Sequence, residues 1–219
     1  MSKSGMFFFC EGDTEAVFYK ALVDFLCKDI TDDYRILNNT LGEEYYELKI
    51  NNSYITIIYK SINTISSMTS SAPYFEDYYD KNQDIKNWTI FLCYDMDEYK
   101  NDITQFFEDD WSVFRDALSK NRENVEIIDL CARAEIEDLI LLDINSICDY
   151  LKVSSIDVPT NSKGKGKLKS IFRKNNKCYH EGVRAAKLIN TLDFNLIINK
   201  AEIPLIKVKD SLLNQDNKN

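Results

Sequence analysis

A single histidine, His180, and no Cys-x-x-Cys pair occur among the 219 residues, so the ligand set of a zinc finger or zinc ribbon is missing. No apolar run approaches the roughly 20 residues needed to span a bilayer. The N-terminal stretch also lacks the apolar core and small-residue cleavage site of a secretory signal, so the expectation is a cytoplasmic protein without a membrane partner. No Gly-rich phosphate loop of the Walker type occurs, and intrinsic ATP hydrolysis is not expected. Positive charge is scarce as well: 27 Lys and Arg against 36 Asp and Glu give a formal net charge of −9. That balance opposes general phosphate neutralisation. The six cysteines, at positions 10, 27, 93, 131, 148 and 178, are scattered, and four lie among apolar residues, where a reduced thiol acts as a small hydrophobe.

A hydrophobic content of 44% suits one core rather than several. Gly5 to Cys10 and Asn87 to Tyr94 read as buried strands, and Ser53 to Tyr59 alternates as a strand with β-branched residues. Val125 to Leu130 is a further strand, and Tyr46 to Ile50 a short one. Asp13 to Cys27 has helical spacing with Asp13 or Thr14 as its cap. Ile103 to Lys120 carries an apolar face of Phe106, Phe107, Trp111, Phe114 and Leu118. Ala134 to Leu142 and Ile144 to Leu151 read as short helices, and the aromatic run Tyr74 to Tyr79 as a helix face packed on the sheet. Strands alternating with helices predict an α/β fold with a mostly parallel sheet flanked by helices.

Two acidic clusters follow the two most apolar strands: Glu11 and Glu15 in Cys10-Glu11-Gly12-Asp13-Thr14-Glu15, and Asp95 and Asp97 in Tyr94-Asp95-Met96-Asp97. The C-terminal ends of strands are where open α/β sheets place their sites. Like charges held together raise one another's pKa unless a cation joins them, and a hard divalent ion answers that need. The blander reading makes each acid a turn residue or a helix cap. A third acidic stretch, Glu135 and Glu137, opens an apolar helix and has the same two readings.

The scarce positive charge is concentrated between Lys163 and Lys187, where nine Lys and Arg face the single acid Glu181. Lys165, Lys167, Lys169, Arg173 and Lys174 are the candidates for contacts to a nucleic-acid backbone. Ser154 to Lys167, with one Pro and two Gly, reads as a mobile connection. The expected division is a core over residues 1–153, a basic helical region over 154–213 packing on it, and a disordered tail over 214–219.

A strand ending in Glu-Gly, a long interval and a second strand ending in Asp-x-Asp resemble a Toprim domain. The Glu11-Gly12-Asp13-Thr14-Glu15 run followed by Phe18-Tyr19 is similar to the OLD-family and RloB-like Toprim proteins of phage defence. The resemblance implies a Toprim, Rossmann-like sheet with a basic helical C-terminal extension. It also implies a Mg²⁺- or Mn²⁺-dependent endonuclease cutting DNA or RNA, tRNA included, as an anti-phage effector governed by a partner ATPase. Glu11, Asp95 and Asp97 would then be catalytic, with Glu11, Glu15, Asp95, Asp97 and either Glu135 or Glu137 as metal ligands. The alternative is a non-catalytic Toprim-like module that binds a partner ATPase or a small nucleotide. Self-association is left open.

Overall fold

Phe7, Phe8 and Phe9 are all fully buried, which requires a strand covered on both faces. The computed structural model describes residues 2–28, 30, 33–38, 44–50, 53–96, 108–132 and 134–213. Its strands are β1 (Ser2–Cys10), β2 (Asp33–Asn38), β3 (Glu44–Ile50), β4 (Ser53–Ser61), β5 (Asn87–Asp95) and β6 (Val125–Ala132). They form one sheet in the order β2-β3-β4-β1-β5-β6. Strands β4, β1, β5 and β6 pair in parallel, and β3 runs against both its neighbours. The α/β class and the mostly parallel sheet expected from the sequence are therefore present.

Side-chain alternation sends each central strand into two cores. Met6, Phe8, Cys10, Phe91 and Cys93 enter one, and Phe7, Phe9, Ile90, Leu92 and Tyr94 the other. The first core is closed by α1 (Asp13–Cys27). The second is covered by α2 (Ile65–Met68), α3 (Ala72–Lys81) and α4 (Glu108–Ser119). The remaining helices are α5 (Ile136–Ile140), α6 (Ile144–Leu151), α7 (Gly164–Lys174), α8 (Ala186–Ile189), α9 (Phe194–Lys200) and α10 (Ile206–Leu213), with a 3₁₀ turn over Gly182–Ala185. Leu168, Ile171, Phe172, Leu188, Phe194 and Leu212 join the first core beside Phe18 and Leu22. No helix among the described residues is long and apolar enough to cross a membrane.

The structure differs from the sequence reading in three places. Strand β2 was not expected, because Asp33–Asn38 is short and lies within a largely polar stretch; it is held by pairing with β3. Helix α1 is capped by the backbone of Gly12, without a side-chain cap from Asp13 or Thr14. Helix α7 starts inside the stretch expected to be a mobile connection. Its Leu168, Ile171 and Phe172 sit three and four residues apart and are buried, and that burial outweighs the poor propensity of Gly164 and Gly166. A Cβ at Gly164 would lie 2.6 Å from the Asp138 backbone nitrogen, so only glycine lets α7 begin this close to α5. Residues Asp97, Phe106 and Phe107 and the tail 214–219 lie outside the described residues.

Candidate functional site

After β1 the chain passes to the β2, β3 and β4 side of the sheet, and after β4 it returns to lay β5 on the other side of β1. The carboxyl ends of β1 and β5 therefore flank the point where strand order reverses, which is where open α/β sheets form a crevice. Glu11 leaves β1 there and Asp95 ends β5. The two are tied directly: the Glu11 N–H donates to the Cys93 carbonyl at 2.8 Å, and the Asp95 N–H donates to Glu11 Oε2 at 3.0 Å. A cleft of about 410 Å³ opens at this edge, lined by Glu11, Glu15, Asp95, Glu137, Lys165 and Glu181 among others.

Each acid reaches the cleft for a local reason. Glu15 lies in the first turn of α1, where the helix dipole favours negative charge. A Cβ at Gly12 would stand 2.9 Å from Glu15 Oε2, so the missing side chain leaves room for this carboxylate to fold back over the turn. Glu137 occupies the first turn of α5 and is 1% exposed. Its Oε1 accepts a hydrogen bond from the Tyr179 hydroxyl at 3.1 Å. Asp95 Oδ1 is buried and has no hydrogen-bond partner.

The charges are out of balance. Burial, then the neighbouring Glu11 and Glu137, push Glu15 up to about 7. Burial, then Glu15, Glu11, Glu137 and Glu135, push Asp95 up to about 10. Burial also raises Glu137, against the pull of Lys165 and the Tyr179 bond. Glu11, Glu15, Asp95 and Glu137 thus converge where negative charge is costly, with Asp13 and Glu181 on the same lining and Lys165 as the one ammonium among the lining residues. Burial lowers the affinity of Lys165 for its proton, but the Glu181 bond and the charges of Glu137 and Glu135 outweigh it and hold the ammonium above its ordinary value.

The segment following α7 closes one wall. Glu181 pairs with Lys169 at 2.7 Å and with Lys165 at 3.1 Å, and these bonds hold its carboxylate below the usual range. The Gly182 N–H donates to Thr14 Oγ1 at 2.8 Å, joining this wall to α1 across 168 residues of chain. Tyr179, Glu181 and Gly182 were not candidates in the sequence; no local pattern marks them, and Glu181 stood out only as the lone acid in a basic stretch. Thr14 reads in the sequence as a helix cap and as part of the acidic motif, not as a partner of Gly182.

The candidates separate clearly in space. Glu11, Glu15, Asp95 and Glu137 line the cleft, and Asp97 lies outside the described residues. Glu135 does not line it, since its Oε2 accepts the Lys165 N–H at 2.7 Å and fixes the start of α7. Among the basic candidates, Lys165 and Lys169 pair with Glu181, and Lys167 pairs with Asp138 at 2.8 Å. Arg173 and Lys174 occupy the last turn of α7, where cations suit the helix dipole.

No family model matches this chain, and no curated protein matches it. Solved structures do align. A futalosine hydrolase mutant of Helicobacter pylori does so at 7% identity over 97% of this chain and 100% of its own, with a TM-score of 0.32. The 5'-methylthioadenosine/S-adenosyl homocysteine nucleosidase of Campylobacter jejuni aligns at 14% identity over 95% and 98%, with a TM-score of 0.30. Likeness this distant transfers no activity.

These findings correct the resemblance drawn from the sequence: what aligns are a futalosine hydrolase and nucleosidases, not Toprim nucleases. The assignments to the OLD-family and RloB-like group, to a metal-dependent phosphodiester endonuclease and to an anti-phage effector fall with it. The non-catalytic Toprim-like alternative gains nothing from them either. The physical reason is that Glu-Gly and Asp-x-Asp after buried strands specify where carboxylates emerge from a sheet. They do not specify which bond, if any, is broken there.

Proposed function

We propose that this is a divalent-cation-binding protein in which Glu11, Glu15, Asp95 and Glu137 hold Mg²⁺ or Mn²⁺ at the sheet edge and present it to the oxygen atoms of an anionic ligand. The observation that carries the reading is Asp95 Oδ1, buried without a hydrogen-bond partner in a cleft whose other walls bring Glu11, Glu15 and Glu137, with Asp13 and the lysine-paired Glu181 also on its lining. A buried orphan acceptor is costly, and a hard cation satisfies it together with its neighbours.

The donors fit the ion in kind, since all four offer carboxylate oxygen, the atom type Mg²⁺ and Mn²⁺ prefer. Among the described residues, no group of three such side chains already stands arranged to hold a metal. Binding therefore involves rotation of these side chains inward, which repulsion opposes until positive charge arrives. The Tyr179 bond orients Glu137, and the Asp95 N–H orients Glu11. When bound, the cation would polarise a ligand oxygen and hold water beside it. The six free cysteines, four of them buried, support a reducing, cytoplasmic setting.

Thermal melts with Mg²⁺, Mn²⁺ or a matched concentration of K⁺ test the reading. A cation at about 100 times its dissociation constant stabilises the fold by about 2.7 kcal/mol. The expected result is a rise with either divalent ion that Asp95→Asn abolishes, and equal melts in all three salts would contradict it.

A further inference from the structure

A second, larger cavity of about 620 Å³ lies against α1 and β4, and Tyr46, Tyr59 and Tyr78 contribute to its lining. It adjoins the acidic cleft, with which it shares Asp13. Three chain segments run from one to the other: Lys60 and Ser61 line the larger cavity and Asn63 the cleft, Thr14 and Glu15 line the cleft and Ala16 and Val17 the larger cavity, and Gly182 lines the cleft and Val183 the larger cavity.

The tyrosines are held rather than loose. Tyr59 stacks on Phe8 with ring centroids 4.9 Å apart, and Tyr46 meets Tyr59 edge-on at 5.5 Å. Both rings are thereby anchored to the core. Lys20 Nζ stands 4.7 Å from the Tyr46 ring centroid, so this end of the cavity already accommodates contact between a charge and an aromatic ring. Across the opening Val183 is 73% exposed, an apolar side chain left in water at the rim of an aromatic wall.

We infer that the tyrosine-lined cavity and the acidic cleft are two halves of one ligand site, which takes an elongated anionic compound with a flat aromatic body. The body lies against Tyr59 and Tyr46 under Val183, and the anionic oxygens reach the cation. The inference rests on the cation reading for its anionic end and on the cavity alone for its aromatic end. Stacking against fixed rings provides sequence-independent affinity for planar groups, while the cation selects for oxygen-rich anions. Volumes of this size suit a small organic molecule rather than a protein segment.

Three probes separate the halves: 1-naphthyl phosphate, 1-naphthol and inorganic phosphate, each titrated by fluorescence or calorimetry with saturating Mn²⁺. The expected order has 1-naphthyl phosphate at least about tenfold tighter than either fragment, a gain of about 1.4 kcal/mol. Val183→Asp, on an exposed side chain, and Tyr59→Leu, which keeps apolar contact with Phe8, should each weaken 1-naphthyl phosphate and 1-naphthol while leaving inorganic phosphate and Mn²⁺ binding unchanged. Equal affinity of 1-naphthyl phosphate and inorganic phosphate, or indifference to both variants, overturns the inference. If Mn²⁺ titrated alone is silent, the cation reading fails. The aromatic half then stands if 1-naphthol binds and Val183→Asp weakens it, and falls if it does not.

Discussion

Replacing Glu15 by Gln should make the cation-free protein more stable at neutral pH, although it removes a charge from the proposed site. Folding takes this carboxyl from its ordinary 4.5 up to about 7, chiefly by burying it. A carboxylate raised on folding binds more protons folded than unfolded. Its contribution to stability is therefore whole below 4.5 and is lost as pH climbs through about 7. With about 1.36 kcal/mol for each pH unit, the loss reaches about 3 kcal/mol at pH 7 and stays below about 1 kcal/mol at pH 5. Gln carries no charge and escapes that loss.

For a chain of this size the gain corresponds to roughly 6–12 °C in Tm. It is an upper limit, because Glu11 and Glu137 share the repulsion. Differential scanning calorimetry of parent and Glu15→Gln at pH 5.0 and 7.5 reads it directly. The expected pattern is a higher Tm for the variant at pH 7.5, with the gap nearly closed at pH 5.0. A variant less stable than the parent by the same amount at both pH values would refute the claim that this acid is held against its own charge.

Three further outcomes follow from the packing. Gly164→Ala places a Cβ 2.6 Å from a backbone nitrogen of α5, and urea denaturation should report a loss of about 1–3 kcal/mol; the modest gain that alanine brings to an open helix position would contradict the contact. Tyr179→Phe deprives buried Glu137 of its 3.1 Å donor and should cost about 1–3 kcal/mol by the same assay, with unchanged stability meaning that the bond is idle. With a disulfide thiol reagent, exposed Cys178 should react first, while buried Cys27, its thiol pushed up to about 12, waits for unfolding; rapid reaction of several thiols in the folded protein would contradict the burial.

Residues whose burial is decided by their own neighbours in sequence were legible before the structure. The Phe7-Phe8-Phe9 run and the Phe91-Leu92-Cys93 run announce central strands because alternation is lost only where both faces are covered. The helical spacing from Asp13 to Cys27 matches α1 end to end. Glu11 and Asp95 could be placed together because strand ends in an α/β sheet share an edge. What was hidden depends on partners far along the chain. Strand β2 exists by pairing with β3, and α7 by burying three side chains beneath a glycine-rich, lysine-rich sequence. The contacts of Tyr179 and of Thr14 join segments 42 and 168 residues apart, beyond the reach of any local pattern. The choice between Glu135 and Glu137 likewise required seeing that one binds the Lys165 N–H and the other faces the cleft. Family identity failed for a different reason, since short acidic motifs fix geometry without fixing chemistry.

The central claim is that carboxylates from three distant segments close on one divalent ion, and isothermal titration of the parent and of Asp95→Asn with Mn²⁺ at neutral pH tests it most directly. The account predicts saturable binding by the parent that is lost in the variant. The same heats from both proteins, or none from either, would contradict it.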